Sequence, residues 1–129
     1  MKEINVATGR RTDFVDITAQ IEDAVREWGL PSGVVTVFVP HTTAGVTINE
    51  NADPDVMIDI ENALDALIPW RANYRHAEGN TAAHLKASMM GSSVQLIVAD
   101  GRLRRGVWQG VYFCEFDGPR SRKVWLTHS

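Results

Sequence analysis

Short β-patterned runs and amphipathic helical stripes alternate irregularly along the chain. Ile4, Val6 and Thr8 are interleaved with polar neighbours, Gly9-Arg10-Arg11 reads as a turn, and Thr12 to Asp16 reads as a returning strand, so an N-terminal hairpin is predicted. Ile17, Ile21, Ala24, Val25 and Trp28 then recur at the spacing of one helix face, with Thr18 as N-cap and Gly29 as a left-handed terminator. Val34 to Val39 is β-branched and apolar on both faces except at Thr36, the pattern of a central strand, and Pro40 ends it because it brings no N–H. Thr43 to Ile48 alternates as another strand. Asp53-Pro54 reads as an N-cap with proline at the first helical position, and the stripe from Val56 to Ile68 is the clearest helix in the chain, stopped by Pro69.

Trp70 to Gly79 has no period. Asn80 caps a short predicted helix, Thr81 to Met90, closed by Gly91. Strands are predicted over Ser93 to Ala99, Val107 to Phe116 and Arg122 to Thr127, with turns at Asp100-Gly101 and Asp117-Gly118-Pro119. No repeat, linker or change of composition interrupts the 129 residues, which predicts a single domain over 1–129. Helices scattered between hairpins, without regular βαβ alternation, predict an α+β fold: a mostly antiparallel sheet with the helices packed on one side.

Composition narrows the function classes. Net charge is −3, from 13 basic and 16 acidic residues, which argues against a general nucleic-acid binder. The single cysteine, Cys114, cannot form an internal disulfide, and a reducing cytoplasm is the expected location. The N-terminus lacks an apolar signal core, and no stretch approaches the roughly 18 apolar residues of a membrane helix.

The stretch from Pro40 to Asp53 concentrates reactive types. It holds one imidazole, three threonine hydroxyls, two amides and two carboxylates, interrupted by Ala44, Val46 and Ile48, which must lie against a core. His41 follows a core strand, His76 stands two residues before Glu78, and His84 falls on a helix among small residues. Their spacing is not the i, i+4 pair of a helical metal site, and by spacing alone three separate hydrogen-bonded histidines are the commoner arrangement. If they do converge, three neutral imidazoles with an open fourth position suit zinc or a similar divalent ion. Glu50 and Glu78 are then candidates for proton transfer or for orienting a ligand imidazole, with Asn49 beside them. Lys86, Arg120, Arg122 and Lys123 are candidate anion binders. Cys114 alternates with Tyr112 and Phe116 and reads as a buried, inert thiol. Trp108 reads as core or as an oligomer contact, and the Gln109 amide needs a partner if buried.

Several of these segments together resemble a known family. Pro40-His41-Thr42-Thr43-Ala44, Asn49-Glu50-Asn51-Ala52-Asp53-Pro54, His76-Ala77-Glu78-Gly79-Asn80, Ala83-His84, Gly91-Ser92-Ser93, Gly106-Val107-Trp108-Gln109-Gly110 and Glu115-Phe116-Asp117-Gly118-Pro119-Arg120 look like the YjbQ family, an uncharacterised protein family also described as a secondary thiamine-phosphate synthase. The resemblance spans nearly the whole chain; Val107 stands where the family usually has threonine. It implies a curved mixed sheet in a small α+β domain that assembles as a homotrimer. It further implies that His41, His76 and His84 gather around a metal, zinc, near a subunit boundary. The implied activity joins a pyrimidine diphosphate to a thiazole phosphate with loss of pyrophosphate. A small phosphorylated substrate is therefore expected, met by Arg120 or Lys86, with Glu50, Glu78 and Asn49 near the chemistry. The other expectation kept open is a non-catalytic metal or small-ligand binding trimer, with no nucleic-acid or membrane partner in either case.

Overall fold

The computed structural model describes residues 1–129. Its elements run β1 (Lys2–Ala7), β2 (Asp13–Asp16), α1 (Thr18–Trp28), β3 (Gly33–Phe38), β4 (Ala44–Glu50), α2 (Pro54–Leu67), α3 (Thr81–Met90), β5 (Ser93–Ala99), β6 (Arg102–Arg104), β7 (Gln109–Glu115) and β8 (Ser121–His128). Every pairing is antiparallel, in a five-stranded sheet ordered β1-β8-β3-β5-β6 and a three-stranded sheet ordered β2-β7-β4. The α+β class predicted from the pattern is the class observed, with the curled sheets facing each other across the main core.

Period-two alternation fills that core. Val35 and Val37 of β3, Leu96 and Val98 of β5, and Val124 and Leu126 of β8 meet Val46 of β4 and Val111 and Phe113 of β7. β3 is central, as its two-faced apolar run predicts, with β5 on one side and β8 on the other. The stripe of α1 closes the sandwich with Ile17, Ile21, Ala24 and Val25, and Gly29 takes the left-handed conformation expected at its end (φ 61°). The other face of β7 presents Tyr112 and Cys114, which with Phe116 pack against Met57 of α2 and Ala83 and Ala87 of α3. These two helices therefore cover the outer face of the three-stranded sheet. Cys114 is fully buried and its thiol is pushed up to about 12 by desolvation, so it is inert as predicted.

Gly45 sets how closely α3 approaches. A Cβ there would lie 2.7 Å from the carbonyl oxygen of Gly91 and 3.1 Å from Cβ of Met90, so only glycine lets β4 pass under the end of the helix. Val46 N–H donates to that same Gly91 carbonyl at 3.1 Å. Across the molecule, the outer face of the five-stranded sheet has no helix on it and carries a stacked Phe38–Trp125 pair with centroids 5.9 Å apart.

Four local expectations are corrected. β1 and β2 form no hairpin: β1 pairs with β8 and β2 with β7, so residues 8–12 cross from one sheet to the other. Thr8 N–H donates to Arg120 O (2.9 Å) and Gly118 N–H to Arg11 O (3.0 Å), so the crossing is tied to the turn between β7 and β8. Each strand thereby buries its apolar face on a wider sheet, which a two-stranded ribbon does not offer. Thr18 is not the N-cap; it begins α1, and Asp16 Oδ1 accepts both its N–H (2.9 Å) and its hydroxyl (2.6 Å). Trp108 is 63% exposed, which removes the core reading and leaves the oligomer contact. β7 starts at Gln109, because Gln109 N–H and Oε1 both close onto Gly106 and make residues 106–109 a turn.

Candidate functional site

Three elements deliver the three histidines to one cleft of about 680 Å³ at the end of the sandwich. His41 sits just past β3, where Pro40 has ended the pairing and turned the chain toward β4. His76 lies in the irregular segment between α2 and α3, and His84 is on the first turns of α3. The rings of His76 and His84 meet edge to face, with centroids 5.4 Å apart and planes at 86°. His41 and His84 also share a second, smaller pocket beside Ser88 and Gly91. In the conformation described, no three His, Cys, Asp or Glu side chains stand close enough to hold one ion.

Each imidazole has a distinct environment. His41 Nε2 accepts the N–H of Lys123 at 3.0 Å, which uses a lone pair that only the neutral ring has. Burial first, and the charge of Arg122 second, hold His41 below the ordinary imidazole value. His76 Nε2 is 4.0 Å from Glu78 Oε1, with both side chains substantially exposed. The segment carrying His76 is pinned by Tyr74, whose hydroxyl donates to Pro69 O at 2.7 Å, and by Arg11, stacked 4.2 Å over Trp70.

The rest of the wall is polar and largely interlocked. Asp117 Oδ2 accepts from Asn80 Nδ2 (3.0 Å) and from Arg120 Nη2 (3.1 Å), and Arg120 Nε donates to Asp117 O (2.8 Å). Asn80 Oδ1 and the Thr81 hydroxyl are buried with no partner in the protein. Behind this wall, Arg122 and Glu115 form a buried ion pair, 6% and 0% exposed. Arg122 Nε donates to Glu115 Oε1 (2.8 Å), and its Nη2 donates to Glu115 Oε2 and to Thr43 Oγ1. Thr8 Oγ1 (2.8 Å) and Asp117 N–H (3.1 Å) complete the carboxylate's bonds. Burial alone would raise the Glu115 carboxyl, but Arg122, the Asp117 N–H and the Thr8 hydroxyl together hold it below the usual carboxylate range.

Of the residues singled out from the sequence, His41, His76, His84, Glu78, Arg120 and Arg122 line the cleft. Glu50 and Asn49 do not; they end β4, roughly 20 Å along the strand from its His41 end. Lys86 is also elsewhere. It follows His84 by two residues, about 200° around the helix, so it points to the opposite side and is buried against Asp65 of α2. The sequence assigns no role in the cleft to Glu115, Asp117 and Asn80, and it marks Arg122 as a candidate anion binder without revealing that it is buried in an ion pair. The signal for the buried pair was present: Glu115 continues the inward series Val111, Phe113, and Arg122 begins the inward series Val124, Leu126.

Comparison with known proteins fits this geometry to a family. A family model described as UPF0047 protein YjbQ-like matches residues 2–129. The chain is 50% identical over 127 residues to the UPF0047 protein YugU of Bacillus subtilis, covering 98% of this chain and 96% of the relative. It is 40% identical over 124 residues to a UPF0047 protein of Archaeoglobus fulgidus, covering 95% of each. Among solved structures, an uncharacterised conserved YjbQ/UPF0047 protein from Clostridium acetobutylicum superposes with a TM-score of 0.98 at 52% identity, covering all of both chains. A YbjQ-like protein of unknown function from Sulfolobus solfataricus gives 0.94 at 33% identity, over 98% of this chain and 94% of that one. The chain belongs to the YjbQ-like UPF0047 family.

Proposed function

We propose that the protein is a zinc-type metal-dependent enzyme acting on a small phosphorylated or carbonyl-bearing molecule, with His41, His76 and His84 as the metal ligands. The observation that carries this reading is the convergence of three imidazoles, from three separate elements, on one cleft that also holds two guanidiniums and two carboxylates. The donor set suits the ion: three imidazoles leave a fourth position open, and His41 is already held in the neutral state a ligand needs. Asn80, on the same wall, has in Oδ1 a buried acceptor whose partner the protein does not supply. Closure requires side-chain movement, and His41 has to exchange the Lys123 N–H if it binds through Nε2.

A bound zinc-type ion supplies Lewis acidity toward a substrate oxygen or an acidified water. Glu78 is the cleft carboxylate with no guanidinium or amide on it, so it holds or moves the proton, while the arginines receive the anionic end of the substrate. On this reading thiamine-phosphate synthase is the candidate activity and a homotrimer the working form, both expectations of the family resemblance, while the single cysteine supports a reducing cytoplasm as the location. No helix is long and apolar enough to cross a membrane.

Zinc-loaded protein offered the two thiamine precursors and a panel of phosphoesters should turn over at least one of them. His41→Ala should lower that rate by more than about a hundredfold. Equal rates in the two proteins would remove the catalytic assignment. One observation favours the second reading, a metal or small-ligand binding protein without catalysis: Glu115 is fully engaged behind the wall and Asp117 is tied through Oδ2 to Asn80 and Arg120, which leaves Glu78 as the cleft carboxylate free of a guanidinium.

A further inference from the structure

We infer that Arg122, rather than Arg120, receives the anionic oxygen of the ligand that enters the histidine cleft, and that it does so through Nη1. The inference rests on the reading above that this cleft is the binding site, and it names the group on the ligand. Three of the five guanidinium N–H bonds are committed, Nε–H to Glu115 Oε1 and the two of Nη2 to Glu115 Oε2 and Thr43 Oγ1. Nη1 has no partner in the protein. It is not sealed from solvent, and Arg122 lines the cleft, so its free N–H groups are the ones open to a ligand there.

The arginine is built in rather than draped on the surface. It is 6% exposed, with its planar fork locked on one edge by Glu115, which Thr8 and Asp117 hold in turn. A donor fixed in this way loses little rotamer freedom when a ligand arrives. Glu115 stands behind the guanidinium and does not line the cleft, so an incoming group meets the donor edge of the pair. Arg120 is the reverse case: half-exposed, with Nε and Nη2 both turned onto Asp117. The ligand class is therefore one with a phosphoryl or carboxylate oxygen at the Arg122 end of the cleft.

Inorganic phosphate and acetate, titrated separately by calorimetry, test this and tell the two oxygens apart. Arg122→Lys and the double variant E115Q/R122Q, which removes both charges and so leaves neither buried alone, should bind the preferred anion about tenfold or more weakly. Arg120→Gln should change its affinity by less than about threefold. In ¹⁵N-labelled wild-type protein, the Arg122 Nε–H signal should shift on saturation and the Arg120 signal should shift less, a readout that needs no variant to fold. Unchanged affinity in both Arg122 variants, a larger loss in Arg120→Gln, or no binding of either anion to the wild type would overturn the assignment. Zinc content measured on the same samples separates the two readings. Phosphate binding that depends on Arg122 in protein unable to take up zinc sinks the metal and keeps the arginine, whereas full zinc uptake with anion binding indifferent to Arg122 does the opposite.

Discussion

At the scale of single residues, the buried Arg122–Glu115 pair dominates the energetics of the cleft wall. Removing one partner leaves an uncompensated charge in the core, so Arg122→Ala should cost about 3–5 kcal/mol. Replacing both residues by apolar ones of similar volume should cost far less. Denaturant unfolding of the single and double variants makes the comparison, and equal losses would mean the pair is not electrostatically coupled. The same pair gives a sign to the pH dependence. The folded Glu115 carboxyl lies below its unfolded value of about 4.3, so between the two values the unfolded state binds the extra proton. Its contribution is complete above the unfolded value and is lost as the pH falls through the folded one. Stability should therefore drop on the acid side more steeply in wild type than in the apolar double variant. An identical acid limb in the two would show that Glu115 is not the group responsible.

At the scale of elements, the approach of α3 to β4 decides whether His84 reaches the cleft. Gly45→Ala places a methyl 2.7 Å from a backbone oxygen that cannot move without shifting the helix end. A loss of roughly 1–3 kcal/mol is expected, together with a displaced His84 signal in a ¹H–¹⁵N imidazole spectrum; a neutral effect on both would mean α3 is held by other contacts. Elements set by local pattern were legible in the sequence. α3 has the predicted bounds, Gly29 and Asp53 take the predicted terminal roles, and β3 is central because its valines face inward on one side while both edges pair. What depends on partners far along the chain was not. The hairpin prediction failed because β1 and β2 choose β8 and β7, strands from the far end of the chain. Asn49 and Glu50 looked close to His41 because a strand's reach is easily underrated, and Lys86 looked close to His84 because two residues on a helix read as neighbours though they face apart. The buried pair was the one long-range feature with a local trace, a charge on the inward parity of two apolar strands.

At the scale of the whole molecule, the cleft lies where the two sheets part at one end, and four connections build it: the turn after β3, the segment before α3, α3 itself, and the turn from β7 to β8. The turn after β3 is tied to the start of β8 by Thr43–Arg122 and by His41 with the Lys123 N–H, and the segment before α3 is tied to the turn from β7 to β8 by Asn80–Asp117. The site is thus a property of the closed fold, and no single segment could act alone. The proposed divalent metal on three histidines at this end of the molecule is tested most directly by anomalous scattering from crystals of the protein purified without chelator. One strong peak is expected in the cleft, about 2.0–2.1 Å from a nitrogen of each of His41, His76 and His84. A cleft without such a peak in crystals grown with added zinc, or a metal held without His84, would contradict it.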